Sequence, residues 1–254
     1  IDPDTPLTDY DTMLWLAGRL GIKWIKLQFA WKLLEPQQGQ LSESMYAYRL
    51  LVQRASEKGF KVMISVAKAP AWARATTDED GPPQNPQDLA NFLKLIMGQV
   101  RTDLYGNSYF SAIEVWNEPN LRREWNGGTL SGAEYMRLFD AAYNGIRSGE
   151  GGPTVTIVTA GLAPTGIDDG VTAVDDRAFL SQMYAAGLAN PAYQNIAIGA
   201  HPYGAANPPD ATCCANPSRG YDDHSTWFFL DTLNDYHAIM TQNNDTSRQI
   251  WATE

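Results

Sequence analysis

Helix-period and strand-like segments alternate six times along this 254-residue chain, an order that predicts an α/β fold with a parallel sheet and helical crossovers. The connections are lopsided: helix-to-strand links are short, as at Gly21 and Gly59, whereas strand-to-helix links are long, at 68–86, 118–130, 162–174 and 201–225. Long links at the carboxyl ends of parallel strands are where α/β folds build their sites. No glycine-rich turn follows the first strand, so a dinucleotide fold lacks its fingerprint. The expectation is a (β/α)8 TIM barrel forming a single domain over residues 1–254. Eight strands close such a barrel and six are legible; the pattern opens on a helix and ends on a strand. The first and last strand regions are therefore expected to be missing from this segment, with the polypeptide extending past both ends or another segment completing the barrel. The alternative is an open six-stranded sheet.

In order, "TDYDTMLWLAGRL" places Tyr10, Met13, Leu14, Ala17 and Leu20 on one helical face, and Gly21 stops it. "IKWIKLQF" (22–29) is the next strand. "ESMYAYRLLVQRASEKG" is a helix ending at Gly59, and "KVMISVA" (61–67) a strand. "PQDLANFLKLIMGQVRTDL" carries Leu89, Phe92, Leu93, Ile96, Met97 and Val100 at helical spacing, and "SAIEVWN" (111–117) is a strand. "SGAEYMRLFDAAYNGIR" opens with Ser131 and Glu134 at capping-box spacing. A strand at 154–161, a helix in "DDRAFLSQMYAAG", a strand at 196–200, a helix in "TWFFLDTLNDYHAIM" and a strand at 249–253 complete the series.

Composition removes several function classes. Lys and Arg total 19 against 29 Asp and Glu, a net charge of −10. Binding a phosphate backbone needs concentrated positive charge, so nucleic acid is excluded as a partner, and anionic membrane surfaces are disfavoured. No apolar run reaches the ~18 residues of a membrane span, and "IDPDTPL" has neither an initiator Met nor a leader pattern. Eight Trp and 12 Tyr offer flat faces that suit sugars, cores and interfaces alike. Cys213 and Cys214 are the only cysteines and three His are present, which argues against a structural zinc site. Two readings of the adjacent cysteines remain: reduced thiols in a loop, or a vicinal disulfide that would signal an oxidising compartment. "TTDEDGPP" (76–83) reads as a solvated loop rather than a calcium site, because consecutive acids seldom converge on one ion. No metal or cofactor is called for.

The chemistry concentrates in "IEVWNEPN" (113–120), an apolar run that finishes on an amide, a carboxylate and a proline, and in the closing "QIWATE", which ends on Glu254. "EVWNEPN", then "GAHPYG", then "IWATE" resembles glycoside hydrolase clan A, with family 39 and family 5-like enzymes the nearest likeness. "GIKWIKLQFAWKLLEPQQG" resembles the clan's second-strand segment and "KVMISVAKAPAWA" its third. In that likeness "WNEP" is the fourth-strand acid/base motif, "HPYG" ends the sixth strand, and Glu254 falls at the seventh-strand nucleophile.

The resemblance implies a retaining glycosidase that cleaves β-glycosidic bonds of a poly- or oligosaccharide by double displacement, with Glu118 as acid/base and Glu254 as nucleophile. Such enzymes place two carboxyl groups about 5 Å apart. It further implies that Asn117 binds the sugar 2-hydroxyl, that His201 and Tyr203 contact the nucleophile or substrate, and that Trp72 and Trp31 stack on sugar, with Trp125 a further candidate. Each has a plainer rival: a solvated strand end, loop packing, or a buried rim tryptophan. Lys26 stands where many clan members carry Arg. Alternation puts Trp24, Lys26 and Gln28 on one face; if that face points inward Lys26 needs a buried partner, and Glu114 is the expected one. The expected setting is extracellular or cell-surface, with further domains on the same polypeptide possible. Other functions are a catalytically silent carbohydrate-binding barrel and a surface or sheath structural protein.

Overall fold

The structure, a computed structural model, describes residues 7–100, 109–214 and 223–254. The opening "IDPDTP", the "RTDL" end of the third predicted helix and residues 215–222 of the long 201–225 link lie outside the described residues.

The elements run α1 (Leu7–Arg19), β1 (Trp24–Ala30), α2 (Trp31–Leu34), α3 (Ser44–Glu57), β2 (Lys61–Ala67), α4 (Pro86–Val100), β3 (Ala112–Val115), α5 (Gly132–Ser148), β4 (Thr156–Thr159), α6 (Asp176–Ala185), β5 (Ile196–Ala200), α7 (Phe229–Gln242) and β6 (Ile250–Ala252). All six strands form one sheet in sequential order. Every pairing is parallel, as at Leu27 with Ile64 and Ile113 with Ile157. This is six-eighths of a (β/α)8 barrel, as the alternation predicted.

Outward-facing Leu27, Phe29, Ile64, Val66, Ile113 and Ile157 pack under the helices in the main core, each contributing about 1.5–3 kcal/mol by leaving water. The helices sit close. A Cβ on Gly145 of α5 would collide with the Ala90 backbone of α4, so only glycine allows that approach. Ser131 caps α5 by accepting from the Glu134 amide at 3.3 Å. Asp175 caps α6 through the Arg177 and Ala178 amides, satisfying amides with no partner inside the helix.

A smaller core of Met63, Ala112, Val158 and Ala197 fills the barrel interior, with Trp251 packed against it. Among the described residues β1 and β6 are the sheet's two edges. They curl toward each other: the Trp24 and Trp251 rings lie 5.1 Å apart, edge to face. Between them opens a cavity of about 420 Å³ lined by Trp24, Ile25, Lys26, Met63, Trp251, Ala252 and Thr253.

Three expectations need correction. The predicted face of α1 buries only in part: Tyr10 and Leu14 are buried, but Met13 and Leu20 are 46% and 78% exposed, because α1 packs on α3 from one side only. The strand predicted over 111–117 ends at Val115, since Trp116 turns into the left-handed region at φ 78°. The strand predicted over 154–161 shortens to Thr156–Thr159. Within the 201–225 link, Cys213 and Cys214 are joined as a vicinal disulfide.

Candidate active site

Beyond the end of β3 the chain makes a tight reversal. Trp116 and Glu118 both hold positive φ, 78° and 42°, a conformation costly for side chains of this size. Other contacts hold it. The Trp116 amide donates to Val66 at 2.9 Å, the Glu118 amide to Gly161 at 3.1 Å, and the Leu121 amide back to the Glu118 carbonyl at 3.0 Å. The Trp116 indole donates to the Glu124 carbonyl at 3.1 Å. The reversal turns Asn117 and Glu118 toward the barrel mouth, both only 8% exposed. The Asn117 amide oxygen is buried with no protein partner.

Glu254 follows β6 by two residues. Although β4 and β5 separate β3 from β6 in the sheet, curvature brings their ends together. Glu118, His201 and Glu254 each place one side-chain oxygen or nitrogen within 4.8 Å of the others. His201, fully buried at the end of β5, sits between the carboxylates: its Nδ1 is 3.2 Å from Glu118 Oε1 and 3.8 Å from Glu254 Oε2. A Cβ on Gly161 would collide with the His201 ring and approach the Thr253 hydroxyl, so glycine there leaves room for the imidazole.

The two carboxylates have different surroundings. Glu254 Oε2 accepts from the Tyr203 phenol at 2.6 Å, and Oε1 accepts from the Lys26 ammonium at 3.2 Å. Burial pushes the Glu254 carboxyl up, but the Tyr203 hydrogen bond, His201 and Lys26 outweigh it and hold it below the usual carboxylate range. Burial and the hydrogen bond to Glu254 push the Tyr203 phenol well above its ordinary value, which keeps it a donor. Glu118, by contrast, meets His201 on one oxygen and Arg123 on the other, at 3.1 Å.

Lys26 does point inward, and the expected partner is there: its Nζ lies 2.7 Å from Glu114 Oε2. Its ammonium is engaged by Glu114 and Glu254 together, and the expected contact of Lys26 with substrate would be made from that shared position. Trp72 is a half-buried rim residue whose indole donates to the Glu35 carbonyl at 2.9 Å. Trp31 is a correction. It is fully buried, stacked on Phe92 and met edge-on by Trp72, with its indole on Glu35 at 2.6 Å, so no sugar reaches it. Trp125, 2% exposed, is core as well.

Sequence reasoning missed Arg123, Thr253 and Glu124. Arg123 had a signal, a cation five residues past Glu118 in a loop that must fold back. Glu124 had none. Burial raises its carboxyl to about 7, with Glu118 and Asp80 adding to the effect and Lys68 and Arg123 opposing it.

The sequence profile of the cellulase family, glycosyl hydrolase family 5, matches residues 4–249. No curated protein matches the chain. Among solved structures, a family 39 glycoside hydrolase from Bacteroides cellulosilyticus is 21% identical with a TM-score of 0.55, covering 85% of this chain and 40% of its own. A triply substituted endo-β-1,4-glucanase from Xanthomonas axonopodis is 17% identical with a TM-score of 0.59, covering 96% of this chain and 68% of its own. A broad-specificity family 5 endoglucanase from Clostridium acetobutylicum is 14% identical with a TM-score of 0.57, covering 94% of this chain and 68% of its own. The chain thus spans less than half of the first of these and about two thirds of the other two, and the likenesses carry the barrel fold. With most of its length matched by one profile, the chain belongs to glycosyl hydrolase family 5, the cellulase family.

Proposed function

We propose that this site cleaves β-glycosidic bonds of a poly- or oligosaccharide with retention of configuration, with Glu118 as acid/base and Glu254 as nucleophile. The observation that carries the reading is the convergence of the two side chains, one oxygen of each lying within 4.8 Å of the other, which favours direct attack over a reaction through an intervening water.

In the first step Glu118 gives its proton to the glycosidic oxygen. The bond from that oxygen to the anomeric carbon breaks, and its electron pair leaves with the alcohol. A Glu254 oxygen donates a lone pair to the anomeric carbon from the opposite face, forming a glycosyl ester. In the second step Glu118, now a carboxylate, takes a proton from water as the water oxygen bonds to the anomeric carbon, and the ester bond breaks with its electron pair returning to Glu254. Tyr203 and Lys26 aim the Glu254 oxygens. The unpartnered Asn117 amide is placed to bind the 2-hydroxyl, and Trp72 is the rim aromatic that remains for a sugar face.

Family membership and the endoglucanase likenesses make β-1,4-glucan the first substrate to test. The joined cysteines support an extracellular or cell-surface setting, since such bonds persist in oxidising compartments. Proton NMR of the first product from an aryl β-cellobioside tests the chemistry. The β-anomer appearing first supports retention; the α-anomer first, or no turnover of any β-glycoside, overturns it and favours a silent sugar-binding barrel.

A further inference from the structure

Glu114 is a fully buried carboxylate beneath the site that the double displacement does not use. Four elements converge on it. Lys26 Nζ of β1 lies 2.7 Å from Oε2. The Thr253 hydroxyl, just past β6, donates to Oε1 at 2.5 Å, and the Gly161 amide, past β4, donates to the same oxygen at 3.2 Å. His201 Nε2, past β5, is 3.9 Å away and has no hydrogen-bond partner of its own. Burying a carboxylate is costly unless its charge is answered. Here one ammonium answers two, because Lys26 also reaches Glu254 at 3.2 Å.

The reaction sharpens the consequence. At rest, Lys26, Glu114 and Glu254 sum to one negative charge. When Glu254 becomes an ester it loses its charge, and Lys26 with Glu114 remains a neutral pair. Without Glu114, the resting pair would be neutral, and an unanswered ammonium would sit beside the anomeric carbon as that carbon gains positive charge. Lysine meets both carboxylates from a single nitrogen, without the rigid planar fork that fixes an arginine's geometry.

We propose that Glu114 is a positioning residue: it holds Lys26 by its counter-charge, so that Lys26 orients Glu254 without neutralising it. The proposal rests on the glycosidase reading for its consequence in turnover, but not for its electrostatics. The groups facing Glu254 are Lys26, Tyr203, His201 and Glu118; those facing Glu114 are Lys26, Thr253, Gly161 and His201.

The test is Glu114→Gln in the intact protein labelled with carboxyl-¹³C glutamate, the Glu254 signal being assigned with Glu254→Gln. Removing a nearby negative charge favours the ionised Glu254, so its titration is expected to move to lower pH by about half a unit to one unit. Turnover of an aryl β-glycoside is expected to fall about tenfold or more with KM little changed, the acid limb of the pH profile following the titration. An unmoved Glu254 titration in folded Glu114→Gln overturns the proposal and leaves Glu114 a packing residue. Should that variant fail to fold, Lys26→Met and the double variant Lys26→Met/Glu114→Gln carry the same comparison: Glu254 is expected to titrate higher in the single variant than in the double, and equal titration overturns the proposal. The titration needs no turnover, so an inactive wild type refutes the glycosidase reading while the titration still decides Glu114.

Discussion

Tyr203 donates its phenol hydrogen to Oε2 of Glu254 at 2.6 Å, the closest of the contacts that hold the proposed nucleophile. Tyr203→Phe removes that donor and keeps the ring. Glu254 is held below the usual carboxylate range in part by this bond, so its loss raises the carboxyl. The acid limb of the kcat/KM profile is then expected to move to higher pH, the opposite direction from Glu114→Gln. A hydrogen bond to a charged group contributes about 1.5 kcal/mol or more, so kcat/KM should fall about tenfold at neutral pH. A pH–rate series on the two proteins checks both.

Glu118→Gln keeps the side chain's shape but cannot give a proton. Turnover of substrates with poor leaving groups should fall about 10²–10⁴-fold, while binding of an unreactive oligosaccharide, read by calorimetry, stays near wild type. An aryl glycoside whose leaving group needs no proton should lose far less in its first step. Equal losses for both leaving groups would take Glu118 out of the acid role.

Gly161→Ala drives a methyl group toward the His201 ring and the Thr253 hydroxyl. The backbone of Gly161 is tied at both ends, its carbonyl to the Glu118 amide and its amide to Glu114, so the imidazole must give way. Overpacking of this kind costs about 1–3 kcal/mol. A lowered melting temperature together with a drop in turnover is expected.

Glu124 offers a pH test of stability. Its folded carboxyl is raised to about 7, above the usual glutamate value. A raised acid destabilises the fold once the pH passes its unfolded value, because the unfolded chain ionises first. Glu124→Gln should therefore leave the melting temperature unchanged near pH 4 and raise it at pH 8, as read by calorimetry at the two values.

The tryptophans separate packing from binding, and they show where sequence reading stops. Trp31→Ala should cost about 3–5 kcal/mol of stability, whereas Trp72→Ala should act chiefly on KM. A tryptophan just past a strand end looks the same in sequence whether it seals the core or faces a sugar. The choice is made by tertiary neighbours, here Phe92 and Glu35 for Trp31. Strand β5 was legible to the residue because its "IAIGA" run is apolar on both faces, all five residues buried. The end of β3 was not, because the left-handed conformation falls on Trp116 and Glu118 rather than on a glycine or on Asn117.

The Lys26–Glu114 pair followed from period-two alternation and the cost of an unpaired inward charge. The pairing of Glu118 with Glu254 had no such local warrant. It came from family likeness, and the structure supplies the convergence. Arg123 and Thr253 were missed because their roles depend on how two loops fold back over the strand ends.

The most direct measurement is mass spectrometry of peptides after exposure to a 2-deoxy-2-fluoro β-glycoside with an activated leaving group, which slows release of the glycosyl ester. The account predicts one fluorosugar mass on the peptide carrying Glu254, and none when Tyr203 is intact but Glu254 is replaced by Gln. A label on any other carboxylate, or turnover of the same sugar with no label formed, would contradict it.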